Sequence, residues 1–256
     1  MTKKLLYLLA ILPVLTACDH IDEDNRYIET EAVEVARKVL LEEFTGQFCP
    51  NCPEGHAVLE SLEEQYGDEL IVVSIHAGHF GVQAPYGLME PEGNDYAARW
   101  NVEAYPSAVV DRQGGALGRD KWAGAVKDEL GKETPLSLEL YAEVSEDYKD
   151  INITTTLGNP TTLDGSLQLW VVENDIVTFQ QDGDNIIPDY KHNNVFRGSV
   201  NGVWGEAMTL PGNEEVTVKN SIAINENWDM EHVYIVGFFY NNSGVIQVEK
   251  CEVSPI

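Results

Sequence analysis

The chain has 256 residues, of which 43% are hydrophobic and 23% are charged, a composition that is globular and excludes a wholly disordered protein. With 43 Asp and Glu against 16 Lys and Arg, the net charge is −27. This charge argues against nucleic acid as a partner, because phosphate binding needs a basic surface. The length suits one large domain or two ordinary ones.

The first elements in the chain predict export and a lipid anchor. Residues 1–17 have the features of a secretory signal peptide, since two lysines precede a short apolar run that ends at Ala17. That run is too short to span a bilayer. The sequence Leu-Thr-Ala-Cys at 15–18 resembles the lipobox of bacterial lipoproteins, which implies lipidation of Cys18 and attachment to the lipid bilayer through it. An ordinary signal peptide with a chance cysteine is the alternative.

Residues 18–35 are predicted to form an acidic tether. The segment from Asp19 to Arg26 is too polar to bury and has the composition of a flexible linker. Acidic residues behind a lipidated cysteine resemble the surface-export signals of some outer-membrane bacteria, and a simple solvated spacer is the alternative.

A Cys-x-x-Cys pair follows the first predicted strand. Residues 38–44 and 69–76 have the apolar character of buried strands, and the apolar residues between them recur at helical spacing. Cys49 and Cys52 therefore lie at a strand-to-helix turn. We expect Cys49 at the helix N-terminus, where the dipole favours its thiolate, and Cys52 one turn inside, close enough to resolve a mixed disulfide.

Two other interpretations of the pair remain open. A structural zinc site would need two more ligands, for which His56, His76 and His79 are candidates, but a second cysteine pair is absent from the sequence. A purely structural disulfide is also compatible with an oxidising compartment. We expect no cofactor and no metal. His76 and His79 are interpreted as packing or solvated side chains.

Residues 36–133 together resemble the thioredoxin fold. After the first β-α-β unit, a turn, two strands and a helix containing Trp122 follow in the order of that fold. The resemblance implies that Cys49 is the nucleophile, Cys52 the resolving thiol, Pro106 the cis-proline that faces them, and Glu43 the buried acid that carries the resolving proton. This sequence departs from the pattern at Phe48, Pro50, Asn51 and Pro53. It also carries a longer segment at 77–99, predicted to be a lid over the thiols or a surface excursion.

Residues 134–256 are predicted to form an immunoglobulin-like β-sandwich. Helical periodicity stops at Pro135, and about seven segments of strand character follow, separated by turn dipeptides. The acidic turn at 182–189 is a weak candidate for Ca²⁺ and more typical of a solvated turn. The polar stretch at 190–197 predicts a recognition surface or a hydrogen-bonded corner. Cys251 has no predicted partner.

The whole chain resembles the 28-kDa outer-membrane-protein-related lipoprotein family. The resemblance is carried by the lipobox, the block Val39–Pro53 and the stretch Tyr190–Arg197. It implies an α/β thioredoxin-like domain before an all-β Ig-like domain, in a cell-envelope lipoprotein of the outer membrane. Exposure at the cell surface is one of the locations that the resemblance implies. Two functions follow as hypotheses. The first is thiol–disulfide exchange with cysteine-containing envelope proteins, and the second is adhesin-like binding of a surface ligand, with the disulfide structural.

Overall fold

The computed structural model describes residues 35–255. The predicted signal peptide, Cys18 and the tether up to residue 34 lie outside the described residues. Val35–Ile256 group into one compact unit. Within residues 35–255, none of the helices is both long enough and apolar enough to cross a bilayer.

Strands dominate the described part of the chain. Its α-helices are α1 (Cys52–Tyr66), α2 (Pro91–Arg99) and α3 (Trp122–Leu130). Its strands are β1 (Val39–Thr45), β2 (Leu70–His76), β3 (Ser107–Val110), β4 (Gln113–Leu117), β5 (Ser137–Val144), β6 (Asp150–Asn159), β7 (Leu163–Glu173), β8 (Ile176–Asp182), β9 (Asn185–His192), β10 (Val195–Ser199), β11 (Glu206–Leu210), β12 (Glu214–Ala223), β13 (Val233–Asn241) and β14 (Gly244–Ser254). The protein is therefore mostly β, with few helices and one large sheet.

The large sheet runs across the predicted domain boundary at residues 133 and 134. β1 pairs with β2 in parallel and with β3 in antiparallel fashion, and β4 follows β3 at the edge. On its other side β2 meets β10 at the single pair Ser74–Val195, and β10 continues the sheet into β7, β13 and β14. The end of β14 then joins β5, β6 and β12, and β11 pairs with β7. The hairpin of β8 and β9 stands apart as a separate two-stranded sheet.

Strand β1 is buried on both faces because its side chains alternate between two apolar cores. Val39 and Leu41 pack in the core that α1 and α3 cover. Leu40 and Phe44 point to the opposite core, which contains Trp170 from β7. A further core lies between β5 and β6 on one side and β7 and β13 on the other. The core that contains Leu40, Phe44 and Trp170 thus combines side chains from both predicted domains.

The segment at 77–99 packs on the disulfide loop, where Phe48 N donates to Phe80 O and Leu88 N donates to Gln47 Oε1, both at 3.0 Å, and it ends in helix α2. Tyr96 of this helix is completely buried, and its hydroxyl donates to Val203 O at 2.7 Å. The helix was not predicted, since Gly93, Asn94 and Asp95 are poor helix formers. Burial of Tyr96 supplies the stabilisation that local propensity lacks. The segment therefore contributes to the core.

Candidate functional site

Cys49 and Cys52 form a disulfide at the start of α1. The helix begins at Cys52, so the prediction that Cys52 lies one turn inside it was wrong, and Cys49 precedes the helix. Pro53 follows in the first turn of the helix, a place that proline suits because the N–H it lacks would be unpaired there. Both sulfurs still lie at the end of α1 where backbone N–H groups are unpaired and the dipole favours negative charge.

The other two residues predicted for this site lie on strands or loops beside it. The peptide bond between Tyr105 and Pro106 is cis. Pro106 packs against the first turn of α1, where a Cβ on Gly55 would lie 2.8 Å from its Cγ. Glu43 is completely buried in β1, and Ser74 Oγ donates to its Oε2 at 2.7 Å. Burial raises the pKa of Glu43 to about 8, and the Ser74 hydrogen bond only partly opposes that rise.

A hairpin from the strand-only part of the chain covers the disulfide. We call β8, β9 and their turn the cap hairpin (residues 176–192). Its backbone bonds directly to the disulfide loop, with Gln181 N donating to Gln47 O at 2.8 Å and Gly183 N donating to Pro50 O at 2.9 Å. These bonds fix the cap hairpin against the loop that contains both cysteines.

Gln180 makes the most central contact of the cap hairpin. Its buried side-chain Nε2 donates to Gly46 O at 3.2 Å and to Cys49 O at 3.1 Å. Beside it, the rings of Phe48 and Phe179 pack with centroids 5.1 Å apart. Cys49 and Cys52 are both 0% exposed. A protein substrate cannot reach either sulfur while the cap hairpin is in this position.

The cap hairpin is flanked on each side by a residue whose backbone lies in the left-handed region. Asp175 has φ of 60° and Asn194 has φ of 57°, a conformation that Asp and Asn tolerate better than most residues. Side chains clasp the two ends together, since Asp175 N donates to Asn193 Oδ1 and Asn194 N donates to Asn174 Oδ1. The base of the hairpin is thus fixed, and its far end is held by the contacts to the disulfide loop.

The histidines considered as metal ligands have different environments. His56 is mostly buried and bonds to Tyr190, whereas His79 is exposed and packs on Phe80. His76 is buried beside His192, with ring centroids 5.5 Å apart, and burial holds its pKa well below the ordinary value. Across residues 35–255, no group of three His, Cys, Asp or Glu side chains is arranged to hold a metal ion.

Sequence reasoning missed Gln180 and the cap hairpin as parts of this site. The Asp-Gly dipeptide at 182–183 is a hairpin-turn signal, and the turn between β8 and β9 falls at Gly183 and Asp184. The stretch 190–197 is rich in polar side chains, and one of them, Tyr190, contacts His56. The hairpin and the disulfide loop are separated by about 130 residues in sequence. No local pattern indicates their contact, since it is purely tertiary.

A second buried polar group lies on the opposite side of β1 from the disulfide site. Arg112 donates to Glu42 Oε1 from Nε and Nη2 at 3.3 Å, and both side chains are almost fully buried. Aromatic rings surround the guanidinium, with centroids 4.4 to 5.8 Å from its Cζ, at positions Tyr96, Trp170, Trp204, Phe238 and Tyr240. These rings come from both predicted domains, so this cluster ties the two parts of the chain together.

Comparisons with known proteins agree with the architecture. HBP35 of Porphyromonas gingivalis is similar over 85% of this chain and 76% of its own, with a TM-score of 0.67 and 16% identity. A crystal structure of a protein from Agrobacterium tumefaciens is similar over 84% of this chain and 94% of its own, with a TM-score of 0.51 and 14% identity. At these identities the likeness is one of fold, and it extends across both predicted domains. Among curated proteins, no sequence matches this chain.

The fold and the family comparison define the class as a mostly β protein of the cell envelope. The family model described as "Outer membrane protein Omp28" matches residues 93–255. The chain belongs to this family, as the resemblance in its sequence predicted, and it is a protein of the outer membrane.

Proposed function

We propose that the protein carries out thiol–disulfide exchange in the cell envelope, with Cys49 attacking and Cys52 resolving. The observation that carries this proposal is Glu43, a fully buried carboxyl group with a raised pKa in the strand that leads to the disulfide. An uncompensated buried acid is costly, and a disulfide with a purely structural role does not need one. An acid of this kind can give a proton to the departing Cys52 thiolate and take it back during resolution.

The proposal includes the finer architecture. We propose that residues 36–133 are a thioredoxin-like domain, supported by the parallel pair β1–β2, the antiparallel β3 and β4, and the two helices α1 and α3 on one face. We propose that residues 134–256 are an Ig-like sandwich, supported by the core between β5–β6 and β7–β13. In this arrangement the second domain supplies the cap hairpin, so exchange requires the part of the hairpin at residues 180–183 to move away from Cys49.

The second candidate function is non-catalytic binding of a surface ligand, with a structural disulfide. The observation that favours it is the complete burial of both cysteines. Under this alternative, the cap hairpin is a fixed part of the fold and the sulfurs never react. The two functions therefore differ in whether the disulfide becomes accessible in the folded protein.

Replacing Gln180 with alanine should increase the rate at which dithiothreitol reduces the disulfide by about thirtyfold. Two hydrogen bonds to the disulfide loop are lost, and a net value of about 1 kcal/mol for each shifts the opening equilibrium by that order. The measurement is free-thiol appearance over time, with alkylation and mass spectrometry to identify the cysteine. Cys251 contributes little background, because burial raises the pKa of its thiol to about 12.

Gln181→Ala is the matched control for this experiment. The Gln181 side chain bonds only to Gly183 O within the cap hairpin, and its backbone bond to Gln47 is unaffected by the substitution. It should reduce at the wild-type rate. If reduced Cys49 alkylates with the pH dependence of a free thiol, and no mixed-disulfide substrate turns over even with Gln180→Ala, the disulfide is structural and the binding function is the better account.

Replacing Cys18 with serine should release the protein from the membrane fraction. We propose acylated Cys18 as the anchor, because the sequence at 15–18 resembles a lipobox. Serine has no thiol to which the lipid could be attached through a thioether. The measurement is the distribution between soluble and membrane fractions after a high-salt wash, with Cys251→Ser as the control that should remain bound. Retention of the Cys18→Ser protein in the membrane fraction after the wash would contradict the lipid anchor.

A further inference from the structure

The buried acid Glu43 has one protein group near its free oxygen. Its Oε2 accepts from Ser74, but its Oε1 has no hydrogen-bond partner in the described part of the chain. His56 Nε2 lies 3.5 Å from that Oε1. Because Glu43 is completely enclosed, a proton that enters or leaves its carboxyl group has to pass through neighbouring polar atoms.

His56 is positioned between Glu43 and the surface. It follows Cys52 by four residues on α1, so the two side chains lie on the same face of the helix. Its Nε2 is 3.1 Å from Thr45 Oγ1 and its Nδ1 is 2.7 Å from the Tyr190 hydroxyl. Burial lowers the pKa of His56 to about 4, so the imidazole is neutral at pH 7 and can accept a proton on one nitrogen as it releases one from the other.

The outer end of this chain of groups is Tyr190 of the cap hairpin, which is only half-buried. A cavity of about 40 Å³ lies beside His56 and Tyr190, and this volume is enough for a water molecule. The titratable groups that face His56 and the cavity are Glu60 and Glu63 of α1, His76 of β2, and Lys191 and His192 of β9. None of them comes within hydrogen-bond distance of Glu43 Oε1.

We propose that His56 is the residue through which Glu43 exchanges its proton with solvent, and that Tyr190 holds the imidazole in position for this transfer. His56 is a positioning residue in this scheme, since it acts on the disulfide chemistry through Glu43. The inference rests on the proposed exchange function and adds to it a defined path for the Glu43 proton to reach solvent.

A path for the Glu43 proton is needed because Glu43 must lose its own proton before it can accept the proton of Cys52. In the mixed disulfide, Cys49 is bonded to a substrate sulfur and Cys52 is a thiol. Glu43 first loses its own proton through His56, then takes the Cys52 proton as the Cys52 sulfur attacks Cys49 Sγ. The bond between Cys49 and the substrate sulfur breaks, and its electron pair leaves with the substrate thiolate. The two cysteines are oxidised to the disulfide, and the substrate is reduced.

The test uses 5,5′-dithiobis(2-nitrobenzoate), which releases one coloured thiolate at each step. The full chain carries Cys18→Ser and Cys251→Ser, so that Cys49 and Cys52 are its remaining cysteines. The reduced protein forms the mixed disulfide at acid pH, and a jump to pH 7 starts resolution, which appears as the second release. We expect His56→Ala to slow the second release by about tenfold or more and leave the first unchanged, and added imidazole to restore the rate.

Control variants separate the possible outcomes. His79→Gln, an exposed histidine that bonds to none of these groups, should resolve at the wild-type rate. His56→Gln fills more of the space than alanine but cannot relay a proton, so it should be as slow as His56→Ala. Resolution at the wild-type rate in His56→Ala overturns the proton path and leaves the exchange function standing. A slow His56→Ala that imidazole does not restore, with a fast His56→Gln, also overturns the path. Absence of any second release in the parent protein overturns both.

Discussion

Replacing Arg112 with methionine should lower the free energy of unfolding by about 3–5 kcal/mol, the usual effect of removing one partner from a buried ion pair. The substitution leaves the Glu42 carboxyl group in an apolar core without its hydrogen bonds, where burial already raises its pKa. The aromatic rings around the guanidinium also lose their cation. For a chain of this size, the melting temperature should fall by about 10 °C.

Two comparisons test this explanation of the Arg112 effect. Arg119→Met removes an arginine from an ion pair with Glu54 that is exposed on both sides, and its effect should stay within about 0.5 kcal/mol. Glu42→Gln combined with Arg112→Met removes the unpaired carboxyl group and should recover part of the loss. Chemical denaturation of the three variants measures these differences. If Arg112→Met is no less stable than Arg119→Met, the buried pair does not hold the two parts of the chain together.

The elements of the first predicted domain could be found from the sequence, because their signals are local. Strand β1 contains the apolar residues Val39, Leu40, Leu41 and Phe44, and the apolar residues of α1 recur at helical spacing. The position of Cys49 and Cys52 at a strand-to-helix turn follows from these two neighbours alone. The helix starts three residues later than predicted, because local sequence patterns place a helix boundary only to within a few residues.

The cap hairpin and its contacts could not be predicted in the same way. Strand β8 is half-buried at most positions and β9 is exposed at most positions, so neither shows the alternation that marks a strand with one buried face. Their stabilising partners are Gly46, Gln47 and Pro50, which are remote in sequence. Within the large sheet, the two predicted domains are likewise joined by one strand pair, Ser74 with Val195, and a single pair leaves no sequence pattern.

Replacing Glu43 with glutamine should change how stability depends on pH. The pKa of Glu43 is about 8 in the folded protein against an ordinary value of 4.5, so the unfolded chain ionises first as pH rises. The wild-type protein therefore loses stability between about pH 4.5 and pH 8, on the order of 1 kcal/mol per pH unit, and no more above that range. The Gln variant lacks this contribution, so its stability relative to wild type should increase across the same window.

The contribution of Glu43 has to be measured as a difference in stability between the two proteins, because other groups also titrate between about pH 4.5 and pH 8. Burial raises the pKa of Asp111 to about 7, and it lowers the pKa of His192 to about 4. These contributions are shared by both proteins and cancel when the two denaturation curves are subtracted at each pH. Glu64→Gln, an exposed carboxyl group on α1, is the matched control and should reproduce the wild-type profile. Parallel profiles for wild type and Glu43→Gln would contradict the raised pKa.

The same Glu43→Gln variant should slow resolution by Cys52 by about 100-fold, the lower range for loss of a general base. Glutamine has nearly the shape of the acid and can keep the hydrogen bond from Ser74, so the cap hairpin and the disulfide loop keep their positions. It cannot accept a proton from Cys52, whereas the attack by Cys49 does not use that proton. In the two-step release assay, the first coloured thiolate should therefore appear at the wild-type rate and the second should be delayed. If both releases slow together, the substitution has changed access to Cys49, and Glu43 has no role in proton transfer.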